Sequence, residues 1–130
     1  MSTVDLATVT LTSGAHDSRD SGVCFMELVA WMAGEPHSDN PSCSCPVLAA
    51  FLRSWNDSLD DSTRQRLKFY APRVIGTNDG KTEARAWMCV DWLIREYTPS
   101  WLDLATLTSE ADVLRSLPVI SGPQTLAHAT

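Results

Sequence analysis

Three of the four cysteines in this 130-residue chain lie between positions 24 and 45, close to a histidine. Cys43 and Cys45 are separated by one residue, His37 precedes them in the same loop, and Cys24 lies on the apolar segment before it. Zinc prefers four Cys or His ligands, so Cys24, His37, Cys43 and Cys45 are candidate ligands of zinc or iron. Structural zinc sites usually contain two close ligand pairs, and this loop has one. The spacing therefore favours small buried thiols, while a strained redox pair of Cys43 and Cys45 is a further alternative.

Glu27 is the only carboxylate in residues 22–34, which are otherwise almost entirely apolar. A carboxylate in such a helix must be paired, protonated or turned towards water. We expect an ion pair with Arg53 or Arg19. The alternative is a functional role as a general base, a metal ligand or an interaction residue, one helical turn from Cys24.

Motifs for nucleophilic catalysis are weak in this sequence. The chain has neither a Gly-x-Ser-x-Gly turn nor a phosphate-binding loop, and His16 and His128 fall in a polar loop and a tail. A dyad of His37 with Cys43 can be written, but nothing else supports it. The sequence does not decide whether the protein is an enzyme, but it favours a protein without enzymatic activity. We therefore assign no catalytic residue and no cofactor.

The charge pattern restricts the classes of partner. The chain has 16 acidic and 10 basic residues, a net charge of −6, and the basic residues are spread along the sequence. Nucleic-acid binding requires clustered Lys and Arg, so a protein partner is expected and direct nucleic-acid binding is not. The sequence has no apolar run of 18 residues and no signal-like N-terminus, which predicts a cytoplasmic protein that does not bind a membrane. Nothing in the sequence predicts the oligomeric state.

The composition is that of a globular protein, with 44% hydrophobic and 20% charged residues. The length fits one domain. We predict a mostly α-helical fold: a single compact helical domain over residues 1–120 and a flexible C-terminal tail over 121–130. Val and Thr alternate partly in residues 4–12, which favours a short N-terminal extended arm or strand. Asp20 or Ser21 is placed to cap the first helix.

Apolar periodicity and turn residues locate the helices that hold the candidate residues. In the second helix Phe51, Leu52 and Trp55 share the predicted inward face, and in the fourth Tyr97 does. Trp92 falls on the polar side of the fourth helix, which makes it a candidate interaction residue. Asp60 or Asp61 can cap the third helix, which Pro72 is expected to kink or split. The predicted helices are residues 22–34, 46–58, 61–76, 82–97, 99–105 and 110–117.

A pattern of residues also extends over most of the chain. It consists of Cys24, Met26-Glu27-Leu28, Ala33-Gly34-Glu35, Asp39, Pro41, Cys45-Pro46-Val47, Ala50-Phe51-Leu52-Arg53, Asn56-Asp57, Val74-Ile75-Gly76-Thr77 and Tyr97 through Ala105. In these positions the chain resembles small uncharacterised proteins of actinobacteria and their phages. Those proteins often have His-Pro where Asn40-Pro41 stands here, a departure that weakens a metal role for this loop. The resemblance implies a bacterial or bacteriophage context and no particular activity.

Together these observations predict an interaction or regulatory protein without enzymatic activity, which binds a host or cellular protein. Exposed aromatic residues, Trp92 and Trp101, are the expected contacts, with Glu27 as a third candidate. The alternative is a small metal-binding or redox-responsive protein that uses the four Cys and His residues named above.

Overall fold

The structure is a computed structural model that describes residues 3–130. All regular secondary structure in that range is helical, which confirms the mostly α-helical prediction. The chain forms two compact units, the first ending at Thr82 and the second beginning at Glu83, a boundary that the sequence pattern does not mark. Within the described residues, every helix is too short or too polar to cross a membrane.

The first unit is built around α1, a nine-residue helix that is buried along most of its length. It packs against α2, against the 3₁₀ turn that follows α3, and against α4. The predicted split of the third helix at Pro72 is confirmed, because α4 begins immediately before that residue. The helices of this unit are α1 (Phe25–Ala33), α2 (Pro46–Ser58), α3 (Asp61–Arg64), the 3₁₀ turn Gln65–Tyr70 and α4 (Ala71–Val74).

The N-terminal segment is an arm and not a strand. Side chains of the helical region take the place of a neighbouring strand: the Gln65 amide accepts from the Leu11 N–H at 2.8 Å and donates to the Leu11 carbonyl at 2.8 Å. Lys68 donates to the Val9 carbonyl and Asn56 to that of Thr12. Four backbone groups of the arm are thereby paired without a sheet.

Two local predictions for α1 and α2 are wrong. Helix α1 begins three residues later than expected and is capped at Cys24, not at Asp20 or Ser21. In α2 the buried face consists of Ala49, Leu52 and Asn56. Phe51 lies beside this face and is 54% exposed. The face of α2 that packs on α1 is therefore rotated away from the face that carries the largest apolar side chains.

The second unit contains one long helical segment, which changes its geometry twice. An α-helix ends at Trp92, a wider π-helical turn follows, and Thr98 begins another α-helix with Pro99 in its first turn. The tail predicted to be loose contains a further short helix, while its flexibility stays a prediction. The elements are α5 (Thr82–Trp92), the π turn Leu93–Tyr97, α6 (Thr98–Leu104), α7 (Thr108–Arg115), α8 (Pro123–Leu126) and the 3₁₀ turn Ala127–Ala129.

Candidate functional site

The Glu27 carboxylate is 1% exposed and lies at the centre of a polar cluster inside the first unit. Its Oε2 atom accepts from the Cys24 N–H at 2.8 Å and lies 2.8 Å from His16 Nδ1. Its Oε1 atom accepts from the His16 N–H at 2.7 Å and lies 3.5 Å from His37 Nε2. One side chain therefore fixes the first turn of α1 and the loop that precedes it.

Glu27 is ionised in this setting. Burial raises the pKa of Glu27, but hydrogen bonds from the Cys24 N–H, the His16 N–H and the His16 ring outweigh it, so the pKa lies below its ordinary value. The expected arginine partners are wrong. Arg53 donates instead to the Asp39 carbonyl, and the Arg19 guanidinium lies 4.7 Å from the centre of the Trp31 ring.

The two histidines play different parts. His37 Nε2 lies 3.0 Å from the His16 carbonyl, to which only a protonated nitrogen can donate. Its buried Nδ1 atom has no hydrogen-bond partner among residues 3–130, and a second proton there would be left unpaired. The Glu27 carboxylate therefore has its close ring contact with His16 Nδ1, at 2.8 Å, while His37 Nε2 lies 3.5 Å from it.

The His16 ring also meets a hydroxyl. Its Nε2 atom lies 3.0 Å from Thr12 Oγ1, while Nδ1 faces Glu27. The backbone turns tightly against this pair at Gly22, where φ is +149° and a Cβ atom would lie 2.3 Å from His16 Cδ2. Only glycine leaves room for the ring at this point.

Cys24 is a buried thiol at the start of α1. Burial, together with the nearby Glu27 carboxylate, raises the pKa of Cys24 to about 12. Its sulfur is therefore protonated at neutral pH, whereas a nucleophilic cysteine reacts as the thiolate.

The other two cysteines of the first unit lie among different neighbours. Burial and the Glu35 carboxylate raise the pKa of Cys43, and the buried Cys45 sulfur lies 3.7 Å from the Thr82 hydroxyl. In the described part of the chain, no group of three or more His, Cys, Asp or Glu side chains is arranged to hold a metal ion. The structure thus does not bring Cys24, His37, Cys43 and Cys45 together, and their metal role stays a prediction.

A second candidate site lies in the second unit, where three aromatic rings form a continuous exposed row. The Trp92 and Tyr97 ring centres are 5.2 Å apart, and those of Tyr97 and Trp101 are 6.0 Å apart. Trp92 is 55% exposed and Trp101 57%. The two tryptophans proposed from the sequence are therefore joined into one surface by Tyr97, which we call the aromatic row.

The π turn is the reason why the row exists. In a continuous α-helix, residues nine apart such as Trp92 and Trp101 lie on opposite faces, at about 180°. Here both the N–H and the hydroxyl of Thr98 donate to the Leu93 carbonyl, five residues earlier, and the wider turn absorbs one residue. Pro99 has no N–H to continue the α-helical pattern, which favours this arrangement.

A groove of about 560 Å³ adjoins the aromatic row, with Trp92 common to both. Its lining includes Asp91, whose carboxylate accepts from the Ile120 N–H at 2.8 Å and pairs with Arg95 at 3.1 Å. The groove is otherwise mainly apolar. Its remaining lining residues are Ala84, Trp87, Met88, Val119 and Ser121.

His16 and Thr12 are the site residues that sequence reasoning missed. Thr12 lies at the end of the arm and His16 in a polar loop, and neither position signals a contact with Glu27 in the sequence. The available signal was the need of Glu27 for a partner, since a histidine can pair with a carboxylate as an arginine can, and His16 lies in the loop that leads into α1.

Comparison of the chain with protein-family models, curated proteins and solved structures found no match.

Proposed function

We propose that the protein is an interaction protein that binds a cellular or host protein through the aromatic row and the adjoining groove of its second unit. The observation that carries the proposal is the exposure of three mutually contacting aromatic rings. Tryptophan and tyrosine contribute disproportionately to the binding energy of protein interfaces, and contiguous exposed apolar patches mark interaction sites.

The small core of this unit supports the proposal. Within residues 83–130, the buried residues are Pro99, Ala111 and Ile120. Larger apolar side chains remain accessible, so a partner can remove them from water at a gain of about 25 cal/mol for each Å² of apolar surface. These exposed side chains are Met88, Trp92, Leu93, Tyr97, Trp101, Leu104, Leu107, Val113 and Val119.

Shape and charge indicate the kind of partner. A groove beside a row of side chains along one helix face fits an amphipathic helix, which inserts apolar residues at helical spacing. The second unit carries six acidic residues and three arginines, and Arg95 and Arg115 each pair with carboxylates of the unit. The remaining acidic charge favours a partner helix with Lys or Arg beside its apolar face.

The test compares two double variants of the full chain. Trp92→Ser with Trp101→Ser removes the row, and Phe51→Ser with Phe69→Ser removes two similarly exposed aromatic rings of the first unit as a matched control. The probe is a fluorescent 18-residue peptide with Leu on one helical face and Lys on the other, and its scrambled sequence serves as a second control.

We expect the wild type and the Phe51/Phe69 variant to bind the amphipathic peptide with equal affinity, measured by fluorescence anisotropy. The affinity of the Trp92/Trp101 variant should fall about 30-fold or more, since the loss of even one hot-spot ring costs about 2 kcal/mol. Equal binding by both variants, or equal binding of the scrambled peptide, would contradict the proposal. The same variants then identify the natural partner as the cellular protein that is retained by the control and lost by the Trp92/Trp101 variant.

A further inference from the structure

We infer that Thr12, His16 and Glu27 form a nucleophile, base and carboxylate relay that can hydrolyse small carboxylic esters. Thr12 Oγ1 lies 3.0 Å from His16 Nε2, and His16 Nδ1 lies 2.8 Å from Glu27 Oε2. A hydroxyl, an imidazole and a carboxylate are thus in hydrogen-bonded sequence, with each ring nitrogen facing a different group. This is the arrangement that activates a hydroxyl for attack on an acyl group.

The contacts set the tautomer that such chemistry requires. Glu27 is ionised and can only accept, so the proton of a neutral His16 lies on Nδ1. Nε2 then presents its lone pair to the Thr12 hydroxyl, whose proton it can take.

All three groups are held in place by backbone contacts. The Thr12 N–H donates to the Val23 carbonyl at 2.9 Å, and the Thr12 carbonyl accepts from the Asn56 side chain at 3.0 Å. The His16 N–H donates to Glu27, which is itself fixed in the first turn of α1. A preorganised relay loses little free energy to ordering when a substrate arrives.

A small cleft borders the relay at Gly22, although Thr12, His16 and Glu27 are not among its lining residues. Gly22, which lies against the His16 ring and the Thr12 hydroxyl, also lines this cleft of about 280 Å³. Arg19 and Asp20 contribute opposite charges to its wall, and Trp31, whose ring is stacked by the Arg19 guanidinium, also lines it. The substrate class therefore rests on the relay itself, whose chemistry is acyl transfer to a hydroxyl.

The reaction balances without a further reagent except water. The Thr12 oxygen forms a bond to the acyl carbon as the ester C–O bond breaks, and the hydroxyl proton passes through His16 Nε2 to the departing alcohol. Water then attacks the acyl group on Thr12 and gives one proton to His16, which returns it to the Thr12 oxygen as the acid leaves.

The experiment uses p-nitrophenyl acetate and the full chain. Release of nitrophenol is followed by absorbance, and the site of acetylation is mapped by mass spectrometry of proteolytic peptides. Every protein carries His128→Gln, because that exposed histidine can react with the ester by itself. Thr12→Val removes the hydroxyl at nearly constant shape, Thr12→Ser retains it, and Ser13→Ala is the control at the exposed neighbouring hydroxyl.

We expect acetylation at Thr12 in the parent and in Ser13→Ala, and at the same position in the Thr12→Ser variant. Thr12→Val should lose the adduct and at least tenfold of the hydrolysis rate, and His16→Gln should lose the rate in a protein whose circular dichroism shows that it is folded. The Thr12→Ser variant should retain the rate, which a purely structural role of the hydroxyl would not require. Absence of the adduct from both the parent and folded Thr12→Ser would overturn the inference, as would a rate that Thr12→Val leaves unchanged.

Discussion

Replacing Glu27 by Gln should destabilise the first unit by about 3 to 5 kcal/mol. The two carboxylate oxygens accept three short hydrogen bonds, two from N–H groups of the backbone and one from the His16 ring. The amide must turn its NH₂ group towards at least one of these donors, and leaving a buried donor unpaired costs about 1 to 3 kcal/mol. The two hydrogen bonds that remain are made to a neutral amide oxygen and no longer to a charged carboxylate, which weakens each of them by about 1 kcal/mol.

Urea unfolding measures this loss against Glu35→Gln. Glu35 also holds a loop, by accepting from the Ser42 N–H at 2.7 Å and the Ser42 hydroxyl at 2.9 Å, but these bonds are exposed and water can replace them. The control should therefore lose about 1 kcal/mol or less. Equal losses in Glu27→Gln and Glu35→Gln would refute the reasoning that the buried carboxylate clamps α1 to its preceding loop.

The loss should also depend on pH in a defined direction. Because the pKa of Glu27 is lowered in the folded state, its ionised form contributes stability that is fully present above the ordinary value of 4.5. That contribution disappears as pH falls through the folded pKa. The difference in the free energy of unfolding between wild type and Glu27→Gln should therefore shrink below about pH 4.5, and a difference that grows there would contradict the assignment.

Three further experiments test the fold. Leu28→Ala, which empties a fully buried position of α1, should cost about 2 to 5 kcal/mol in chemical denaturation, whereas Phe51→Ala at an exposed position of α2 should cost less than about 1. Gly22→Ala should lower the melting temperature far more than Gly14→Ala, because both have positive φ but only the Gly22 Cβ would overlap His16; similar melting temperatures would contradict the packing. Deleting residues 121–130 should leave the thermal melt within a few degrees of wild type, since Ile120, the buried anchor, is retained.

The helical fold can be predicted because its signals are local. An amphipathic pattern and a proline in the first position predict the second helix at residues 46–58, and the structure has the same bounds. Asp60 is one of two residues expected to cap the third helix, and its side chain accepts from the Thr63 N–H. Capping residues and prolines act within one turn, so the sequence contains all that is needed to recognise them.

The candidate sites are only partly predictable because they depend on contacts between distant residues. Glu27 is recognisable as unusual, but its partner His16 lies in an irregular loop whose path is set by Gly22. Trp92 and Trp101 are recognisable as candidate exposed aromatics, yet a regular α-helical projection puts them on opposite faces. The π turn that aligns them depends on Thr98 and on the missing N–H of Pro99. A search for apolar residues at the 3.6-residue spacing of an α-helix does not detect a turn that contains one extra residue.

That extra residue has a consequence for the ancestry of the surface. A π turn is the form in which an α-helix accommodates one inserted amino acid while the residues beyond it keep their direction. A chain that lacked one residue within Leu93–Tyr97 would need no such turn, and its three aromatics would stand four and four apart, as a plain stripe along one helix face. We therefore expect some related chains to have one residue fewer between the positions of Trp92 and Tyr97, and to keep aromatic residues at both positions.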